Sequence, residues 1–446
     1  MLRYVIIGTG VAGMAAAETI RRQDTVSPIT LVGDEPHGFY SRPGLAYLLT
    51  GEIMERQLFP VGKDHVAALK LRLVQNRVVE IRADAHQLEM KDGSTLTYDR
   101  LLIATGAGAV RANVPGRDLE GVVKFDSLDD LRHILKLVRR TRSAVVIGGG
   151  ITSLELVEGL LKRGVKVHYF LRGDRYWENV LDETESHIIE HTLKDEGVQL
   201  HFRTELAEIS GKSGRVTGVQ TADGRALPCE MVAVAIGVRP RLELAQGAGL
   251  KTDRGILVDE HLQTSHPHIY AAGDAAQVFD PATGKSLLSS LWGPARDMGR
   301  VAGQNLAGGA SAYRKEQPFN VTRLAGLTTT IIGPVGTGSA DHDLLDITHG
   351  DSEAWSLLPE RGLGSVIAAQ AGFDVNHLRL LVGPQTLVGA VLMGDQTLSQ
   401  PLHHLITRSV DISPSRERLL QATSLAPLII DCWDCWRKNH ADPIAI

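Results

Sequence analysis

Two stretches of the chain share one pattern of apolar and polar positions. In the first, an apolar run at 4–7 precedes a glycine-rich turn, an alanine-rich segment and a second apolar run at 29–33. Short apolar runs bounded by glycine are typical of buried parallel strands, and the longer segment between them predicts a helix. The same order returns with the runs 144–147 and 165–170. The pattern therefore predicts an α/β fold with two strand–turn–helix–strand units.

The turn of the first unit has the spacing G-x-G-x-x-G at Gly8, Gly10 and Gly13. The first glycine permits the tight turn, the second lets the backbone approach a pyrophosphate, and the third lets helix and strand pack closely. The helix N-terminus then faces the phosphates with N–H groups and a positive dipole end. Asp34 and Glu35 end the second strand, where an acid bonds a ribose hydroxyl. We predict dinucleotide binding, against the alternative of a glycine-rich loop in another α/β protein.

The second unit departs from the first at two points. Ser153 replaces the third glycine after the turn 148–150, which loosens the helix packing without blocking a phosphate. Leu171 stands where an acid would accept a ribose hydroxyl, and Arg172 and Arg175 follow. An arginine fork matches a 2′-phosphate, so this unit is predicted to prefer NADP over NAD. The alternative is a pair of surface arginines in a loop.

Further motifs fall at the ends of predicted strands. A small-residue turn at 104–106 has a counterpart around Gly237, and a later strand ends in Gly273-Asp274. A carboxylate at the carboxyl edge of such a sheet points into the ligand crevice. From about residue 321 onward, glycines punctuate short strand-like runs, which predicts a separate α+β unit.

Length and composition exclude several classes of protein. A chain of 446 residues predicts about two to four domains, and 43% hydrophobic with 22% charged residues is typical of a globular protein. The net charge of -5 gives no indication of a nucleic-acid partner. No uncharged apolar run is long enough to span a bilayer. Three cysteines make no disulfide framework, so we expect a reducing cytoplasm.

The chain contains, in this order, two dinucleotide folds, an Ala-Thr-Gly turn in the first fold, a strand that ends in Gly-Asp and a C-terminal α+β unit. This arrangement resembles the two-dinucleotide-binding flavoproteins of the pyridine nucleotide–disulfide reductase superfamily. The resemblance covers roughly the first three-quarters of the chain well and the rest loosely. It implies a glutathione reductase-like fold with FAD in the first unit and NAD(P)H in the second. The implied domains are 1–112 with 240–320 for FAD, 113–239 for NAD(P), and 321–446 for a dimer interface.

The motifs and the resemblance together define two sets of site residues. The resemblance implies that the backbone of Val78 meets the adenine of FAD and that Asp274 bonds its ribityl chain. Around FAD they place Gly8, Gly10, Val11, Ala12, Gly13, Asp34, Glu35, Arg42, Pro43, Val78, Ala104, Thr105, Gly106, Gly273, Asp274, Trp292 and Ala295. Around the nicotinamide nucleotide they place Gly148, Gly150, Ile151, Thr152, Ser153, Glu155, Arg172, Arg175 and Gly237.

One departure from the family decides the predicted chemistry. Disulfide-using members carry redox cysteines after the first ribose acid, whereas this chain has no cysteine before Cys229 and has Ser-Arg-Pro-Gly at 41–44. That pattern resembles rubredoxin and ferredoxin reductases and the flavin portion of pyridine-nucleotide nitrite reductases. Many of those pair a lysine with the counterpart of Glu155, and Tyr47 stands in its place here. The resemblance implies that Glu155, Arg42 and Tyr47 are the catalytic residues.

We therefore predict an FAD-dependent NAD(P)H oxidoreductase, in which the protein positions the nicotinamide for hydride transfer to flavin. Electrons then pass to an external acceptor, in the first instance a small redox protein such as rubredoxin or ferredoxin. Two alternatives stay open: a flavoprotein subunit of a larger nitrite- or sulfur-metabolising complex, and a redox-sensing interaction protein with slow turnover. A quinone reductase at a membrane surface ranks lower, since the tail lacks a basic amphipathic helix. We expect a homodimer or a complex subunit.

The tail carries Cys432-x-x-Cys435 between tryptophans. The pair has three interpretations: a dithiol reduced by a partner subunit's flavin, half of a shared metal site, or small apolar side chains in a packed tail. Two cysteines alone are an incomplete ligand set. Buried thiols often act as small hydrophobes, so we favour the packed tail and predict no metal.

Overall fold

The computed structural model describes residues 1–281, 284–315, 317–336, 377–421 and 425–439. Within these ranges, no helix combines the length and the apolar character needed to cross a bilayer. The helices are α1 (Val11–Gln23), α2 (Gly44–Thr50), α3 (Lys63–Ala68), α4 (Leu128–Val138), α5 (Ile151–Lys162), α6 (Glu183–Asp195), α7 (Glu243–Gly247), α8 (Trp292–Leu306), α9 (Ser399–Thr407), α10 (Arg416–Gln421) and α11 (Ala426–Asn439).

The strands alternate with these helices in the first two-thirds of the chain. They are β1 (Tyr4–Ile7), β2 (Ile29–Gly33), β3 (Leu71–Gln75), β4 (Val78–Arg82), β5 (Gln87–Met90), β6 (Thr95–Thr97), β7 (Arg100–Ile103), β8 (Ala107–Ala109), β9 (Val122–Val123), β10 (Ser143–Ile147), β11 (Lys166–Phe170), β12 (Gln199–His201), β13 (Leu206–Lys212), β14 (Arg215–Thr221), β15 (Ala226–Pro228), β16 (Met231–Val234), β17 (Val238–Pro240), β18 (Ile256–Val258), β19 (Ile269–Ala271), β20 (Ala276–Asp280), β21 (Lys285–Leu288), β22 (Phe319–Leu324), β23 (Leu327–Ile332), β24 (His377–Val382) and β25 (Leu387–Met393).

Two parallel sheets form the frame of the first part of the chain. One has the strand order β19-β7-β1-β2-β3, and the other has the order β12-β11-β10-β16-β9. The central strands β1 and β10 are buried, which explains their unbroken apolar sequence. Because β19 follows the whole second sheet in sequence but pairs with β7, the second nucleotide-type fold is inserted into the first. The predicted α/β class is confirmed.

The two connections between these sheets run side by side. The chain leaves the first sheet through β8 and returns through β17, and the two pair antiparallel, with Ala107 opposite Pro240 and Ala109 opposite Val238. Three small sheets accompany the frame: the antiparallel β4-β5-β6 and β13-β14-β15, and the mixed β18-β20-β21. The paired connections bring the end of β7 and the start of the returning segment together.

Helices α1 and α8 pack closely because α8 presents glycines to α1. A Cβ on Gly299 would lie 2.2 Å from the Ala12 carbonyl oxygen, and one on Gly303 would lie 2.7 Å from that of Ala16. Those distances are shorter than any normal contact, so only glycine lets the helix backbones touch. This packing fixes the N-terminal turn of α1 against α8.

Helices α2 and α5 form a second close pair. A Cβ on Gly159 would lie 2.3 Å from the side chain of Leu49. Arg163 donates from Nε to the Leu49 carbonyl at 2.8 Å and from a terminal nitrogen to that of Leu48 at 3.1 Å. A cation bonding the last carbonyls of a helix stabilises its C-terminus. The segment after β2 is thereby attached to α5, the helix that follows β10 of the second sheet.

The chain divides into two compact units. Residues 1–172 and 198–315 make up most of the first and contain both parallel sheets. The second holds 173–197, with α6, and most residues from 316 onward. Its described part has the antiparallel sheet β22-β23-β25-β24 and the helices α9, α10 and α11. The domain boundaries predicted from the sequence stay a prediction, and part of the predicted 321–446 domain lies outside the described residues.

Candidate functional site

The first glycine-rich turn has the geometry that a dinucleotide requires. Gly8 has φ +120°, and a Cβ there would lie 2.1 Å from the Ala104 carbonyl oxygen. A Cβ on Gly13 would lie 2.2 Å from the oxygen of Gly8, whereas nothing lies within 4 Å of a Cβ on Gly10. Gly10 is also the N-cap of α1 and provides no side-chain cap. Two glycines thus close the turn, and the third opens space before a helix N-terminus.

Two further chain segments meet this turn at the carboxyl edge of the first sheet. Gly273, with φ +74°, follows β19, and a Cβ there would lie 3.0 Å from the Cβ of Ala12 and 3.7 Å from that of Ala295. Asp274 comes next, and burial raises the pKa of its carboxyl to about 6, against the lowering influence of Arg42 and Arg241. Trp292 begins α8 one turn before Ala295. The predicted carboxylate and the phosphate turn therefore share one crevice.

The two acids after β2 have different surroundings. The Asp34 side chain is 61% exposed and lies 3.8 Å from Arg77. Glu35 accepts a hydrogen bond from the Tyr40 hydroxyl at 2.7 Å and one from Arg42 at 2.5 Å. Val78 begins β4 next to this edge, since the Asn76 N–H donates to the Gly33 carbonyl at 3.0 Å. Asp34 is therefore the more accessible of the two carboxylates predicted to meet a ribose.

Two site residues escaped the sequence prediction. Arg241 follows β17, donates to the Thr105 carbonyl at 2.8 Å and accepts at its own carbonyl a bond from the Thr105 hydroxyl at 3.3 Å. Its guanidinium lies close to two glycines: it is 3.3 Å from the position that a Cβ would take on Gly108 and 3.8 Å from the position that a Cβ would take on Gly106. Asp126, whose side chain is 5% exposed, pairs with Arg241 at 3.3 Å. The one signal that the sequence gives for either residue is a charged side chain soon after a short strand, β17 for Arg241 and β9 for Asp126.

The second glycine-rich turn repeats the geometry of the first. Gly148 has φ +147°, and a Cβ there would lie 2.1 Å from the Ala235 carbonyl oxygen, but nothing lies within 4 Å of a Cβ on Gly150. Ser153 is fully buried, and its hydroxyl donates to the Gly150 carbonyl at 2.7 Å and lies 2.7 Å from the Tyr169 hydroxyl. The serine is thus held by hydrogen bonds while the phosphate space stays open. Ile151 and Thr152 complete the first turn of α5, and Gly237 follows β16 with φ +113°.

The two arginines predicted to bind a 2′-phosphate fall in different compact units. Arg172 is exposed just after β11, behind the buried Leu171. Arg175 belongs to the second unit, where it donates to the Glu178 carbonyl at 3.1 Å. The role predicted for these two arginines stays a prediction.

The three predicted catalytic residues lie on or beside the paired helices α2 and α5. Tyr47 is 9% exposed on α2, and Glu155 is half-buried on α5. Arg42 precedes Pro43, which is the N-cap of α2. The close packing of the two helices brings the predicted flavin side and the predicted nicotinamide side onto one scaffold.

The first compact unit holds one cysteine, Cys229, among its described residues. Cys229 is 2% exposed within an apolar cluster, and burial raises the pKa of its thiol to about 12. Cys432 and Cys435 lie on α11 in the second unit, half-buried and exposed respectively. Beside them, Trp433 donates its indole N–H to Nδ1 of His404 at 3.0 Å and packs with Cys432 against the core of that unit.

A cluster in the second unit resembles a metal site in composition. Oxygens of Asp182 and Glu185 and a nitrogen of His377 lie within 4.8 Å of one another. Arg379 contacts both carboxylates: its guanidinium lies 2.9 Å from both Glu185 oxygens and 3.5 Å from Asp182. Bonds from a cation satisfy the buried carboxylate, so we interpret the cluster as an ion-pair network.

The residues present fit the two nucleotides that the sequence predicts. Both turns leave open space at the glycine that would meet a pyrophosphate, and both face a helix with no side-chain cap. The crevice of the first sheet adds a deep carboxylate at Asp274. These features match FAD in the first fold and a nicotinamide nucleotide in the second.

Comparison with known proteins agrees with this geometry. Residues 2–299 match the family model described as pyridine nucleotide-disulphide oxidoreductase. Rhodocoxin reductase from Rhodococcus erythropolis is 34% identical over 359 residues, 78% of this chain and 83% of the relative. A ferredoxin reductase from Rhodopseudomonas palustris has a similar crystal structure, with a TM-score of 0.80, 25% identity, and coverage of 97% of this chain and 99% of that one.

A longer relative also matches. The assimilatory nitrate reductase electron transfer subunit of Bacillus subtilis is 26% identical over 429 residues, which are 96% of this chain but 52% of the relative. This chain thus spans about half the length of that protein. The comparisons confirm the expected class and cofactors: the chain is an FAD-dependent NAD(P)H oxidoreductase and belongs to the pyridine nucleotide-disulphide oxidoreductase family.

Proposed function

We propose that this protein takes electrons from NAD(P)H and delivers them to a small redox protein, a rubredoxin or a ferredoxin. The observation that carries the proposal is that the first nucleotide fold provides no thiol beside its glycine-rich turn: no cysteine precedes Cys229, which is buried in an apolar cluster. Without a sulfur relay, electrons must leave the flavin for an external acceptor. Relatives named rhodocoxin reductase and ferredoxin reductase favour a protein acceptor.

The chain's own residues would hold and orient the two nucleotides. Gly8, Gly10 and Gly13 admit the FAD pyrophosphate at the N-terminus of α1, and Asp274 accepts a bond from the ribityl chain. Bound FAD supplies the redox chemistry, because it accepts a hydride and can release electrons singly. Gly150, at the N-terminus of α5, plays the same part for the nicotinamide nucleotide.

The catalytic set acts by position. Glu155 on α5 would orient the nicotinamide ring, and Arg42 and Tyr47, before and on α2, would line the flavin site. Holding donor and acceptor rings in van der Waals contact removes most of the entropic barrier to hydride transfer. The close packing of Gly159 against Leu49 supports this role, because it fixes the two helices relative to each other.

For the nucleotide, NADPH is preferred over NADH. The support is the exposed Arg172 directly after the strand whose end carries the buried Leu171 instead of an acid. A guanidinium there matches a 2′-phosphate. Because three free cysteines are present, a reducing compartment, the cytoplasm, suits the protein.

An acceptor screen tests the function. The flavoprotein is reduced with NADPH or NADH, and steady-state turnover is measured with rubredoxin, a plant-type ferredoxin, a [2Fe–2S] ferredoxin of the bacterial type, a quinone and O₂. Fast turnover with one of the redox proteins is expected. Turnover that is fast only with quinone or O₂ would contradict the proposal, and slow turnover with every acceptor would favour a redox sensor.

A second candidate is a flavoprotein subunit of a larger redox complex. The relative that spans twice this length is named an electron transfer subunit of a nitrate reductase, and 96% of this chain aligns with it. Co-purification from native cells with an iron–sulfur or nitrite-reducing partner would support this candidate. A homodimer formed through residues 321–446 is the expected state otherwise, and light scattering measures it.

A further inference from the structure

Asp126 is a buried carboxylate surrounded by three cations, which we call the Asp126 cluster: Asp126, Arg42, Arg241 and Lys124. Its side chain is 5% exposed. Arg241 lies 3.3 Å from the carboxylate, Lys124 lies 3.5 Å away and Arg42 lies 3.7 Å away. A buried carboxylate is expensive unless it is paired, so this arrangement requires an explanation.

The charges of the cluster balance only when the adjoining acids are included. Glu35 bonds Arg42 at 2.5 Å, and Asp130 lies 3.2 Å from Lys124. Three cations and three carboxylates then form one continuous network. Within this network, Asp126 is the acid that forms an ion pair with Arg241, so its charge offsets that of the arginine.

Both arginines of the cluster are attached to the flavin crevice. Arg42 also donates to the Asp126 backbone carbonyl, so its guanidinium is fixed at two points of one residue. Arg241 donates to the Thr105 carbonyl in the small-residue turn. Arg42 and Arg241 lower, and Asp126 raises, the pKa of the Asp274 carboxyl, which shows that all three charges act on the crevice.

Asp126 also joins separate parts of the chain. It lies between β9 and α4, in the segment inserted after the first sheet, whereas Arg42 precedes α2 and Arg241 follows β17. The Ala109 N–H, in the outgoing connection, donates to the same carboxylate at 3.4 Å. One side chain thus bonds the outgoing and the returning segments and the loop before α2.

We propose that Asp126 is a positioning residue that holds Arg42 and Arg241 at the flavin site and neutralises part of their charge, which keeps the flavin midpoint potential low. The proposal rests on the FAD site of the proposed function. A low potential suits a flavin that must pass electrons to iron–sulfur or iron–thiolate acceptors. Reduction adds negative charge to the flavin, so an unneutralised arginine pair would favour the reduced form.

The test removes the charge and keeps the shape. Asp126→Asn should raise the midpoint potential of bound FAD by about 30 mV. For a two-electron couple, this shift changes the equilibrium constant for reduction by a factor on the order of ten. Asp126→Glu, which retains the charge, should return the potential toward the wild-type value. Asp129→Asn is the matched control, because Asp129 is an acid three residues away with a 62% exposed side chain. It should leave the potential unchanged.

The FAD dissociation constant of each variant is measured on the apoprotein by fluorescence quenching. If Asp126→Asn loses the flavin during purification, an affinity at least tenfold weaker than that of Asp129→Asn supports the positioning role. If Asp126→Asn binds FAD with wild-type affinity and potential, the proposal is wrong. A wild-type protein that binds no FAD would instead overturn the proposed function, so the two failures are distinguishable.

Discussion

Replacing Gly299 with alanine tests whether the contact between α1 and α8 holds the phosphate-binding turn in place. An added Cβ would lie 2.2 Å from the Ala12 carbonyl oxygen and 2.9 Å from the Ala12 backbone, about 1 Å short of ordinary contact. Alanine within a helix ordinarily stabilises by about 1 kcal/mol relative to glycine. Overpacking against rigid backbone costs about 1–3 kcal/mol, so we expect net destabilisation of up to about 2 kcal/mol.

The same change should weaken FAD binding, because Ala12 lies in the first turn of α1. If the helix moves enough to relieve the contact, we expect the FAD dissociation constant to rise about tenfold, equivalent to about 1.4 kcal/mol. The assays are urea denaturation of the apoprotein and FAD titration by fluorescence.

Gly247→Ala is the matched control for Gly299→Ala. Gly247 ends α7, and nothing lies within 4 Å of an added Cβ there. This variant should be unchanged or more stable by up to about 1 kcal/mol and should bind FAD normally. If Gly299→Ala behaves like Gly247→Ala in both assays, the reasoning about the helix contact is refuted.

Three further predictions concern charge and sulfur. Arg172→Ala should raise KM for NADPH about tenfold or more and change KM for NADH little. An equal rise in KM for both nucleotides would contradict the assignment of Arg172 to the 2′-phosphate. Burial opposes ionisation of Glu185, but bonds from His377 and Arg379 outweigh it, so the pKa of Glu185 lies below its ordinary value of 4.5. The ionised Glu185 therefore contributes its full stabilisation to the folded protein above pH 4.5, and this contribution is lost as the pH falls below that value. Glu185→Gln should cost about 3 kcal/mol at pH 7 and flatten the acid limb of a denaturation-midpoint profile; an unchanged limb would contradict the sign. Serine at Cys432 and Cys435 together should leave turnover unchanged with every acceptor, whereas a loss with one acceptor would revive the dithiol interpretation.

The parts of the fold that local sequence determines were predictable. Apolar residues at helical spacing within 126–142 predict a helix, and the structure has α4 there, Leu128–Val138; its start is fixed by Ser127, whose hydroxyl accepts from the Asp130 N–H at 3.1 Å. The amphipathic pattern of 182–196 predicts a second helix, and α6 spans Glu183–Asp195. Likewise, Gly8 and Gly148 occupy positive-φ turns because the strand–turn–helix unit requires them. In each case the residues that fix the structure are neighbours in sequence.

The missed features depend on residues far apart in the chain. Asp126 and Arg241 are separated by 115 positions, and no periodicity relates them. Spacing in sequence predicts proximity only within one element, so long-range ion pairs require the tertiary structure.

The central claim is that two nucleotide folds share one flavin with no sulfur relay beside it. Anaerobic titration of the purified protein with NADPH or NADH, followed by flavin absorbance, tests it most directly. We predict one FAD per chain and complete bleaching at one equivalent of nucleotide, since FAD alone accepts two electrons. Uptake of a second equivalent would reveal a disulfide in the electron path, and a colourless protein that takes up no FAD would contradict the account entirely.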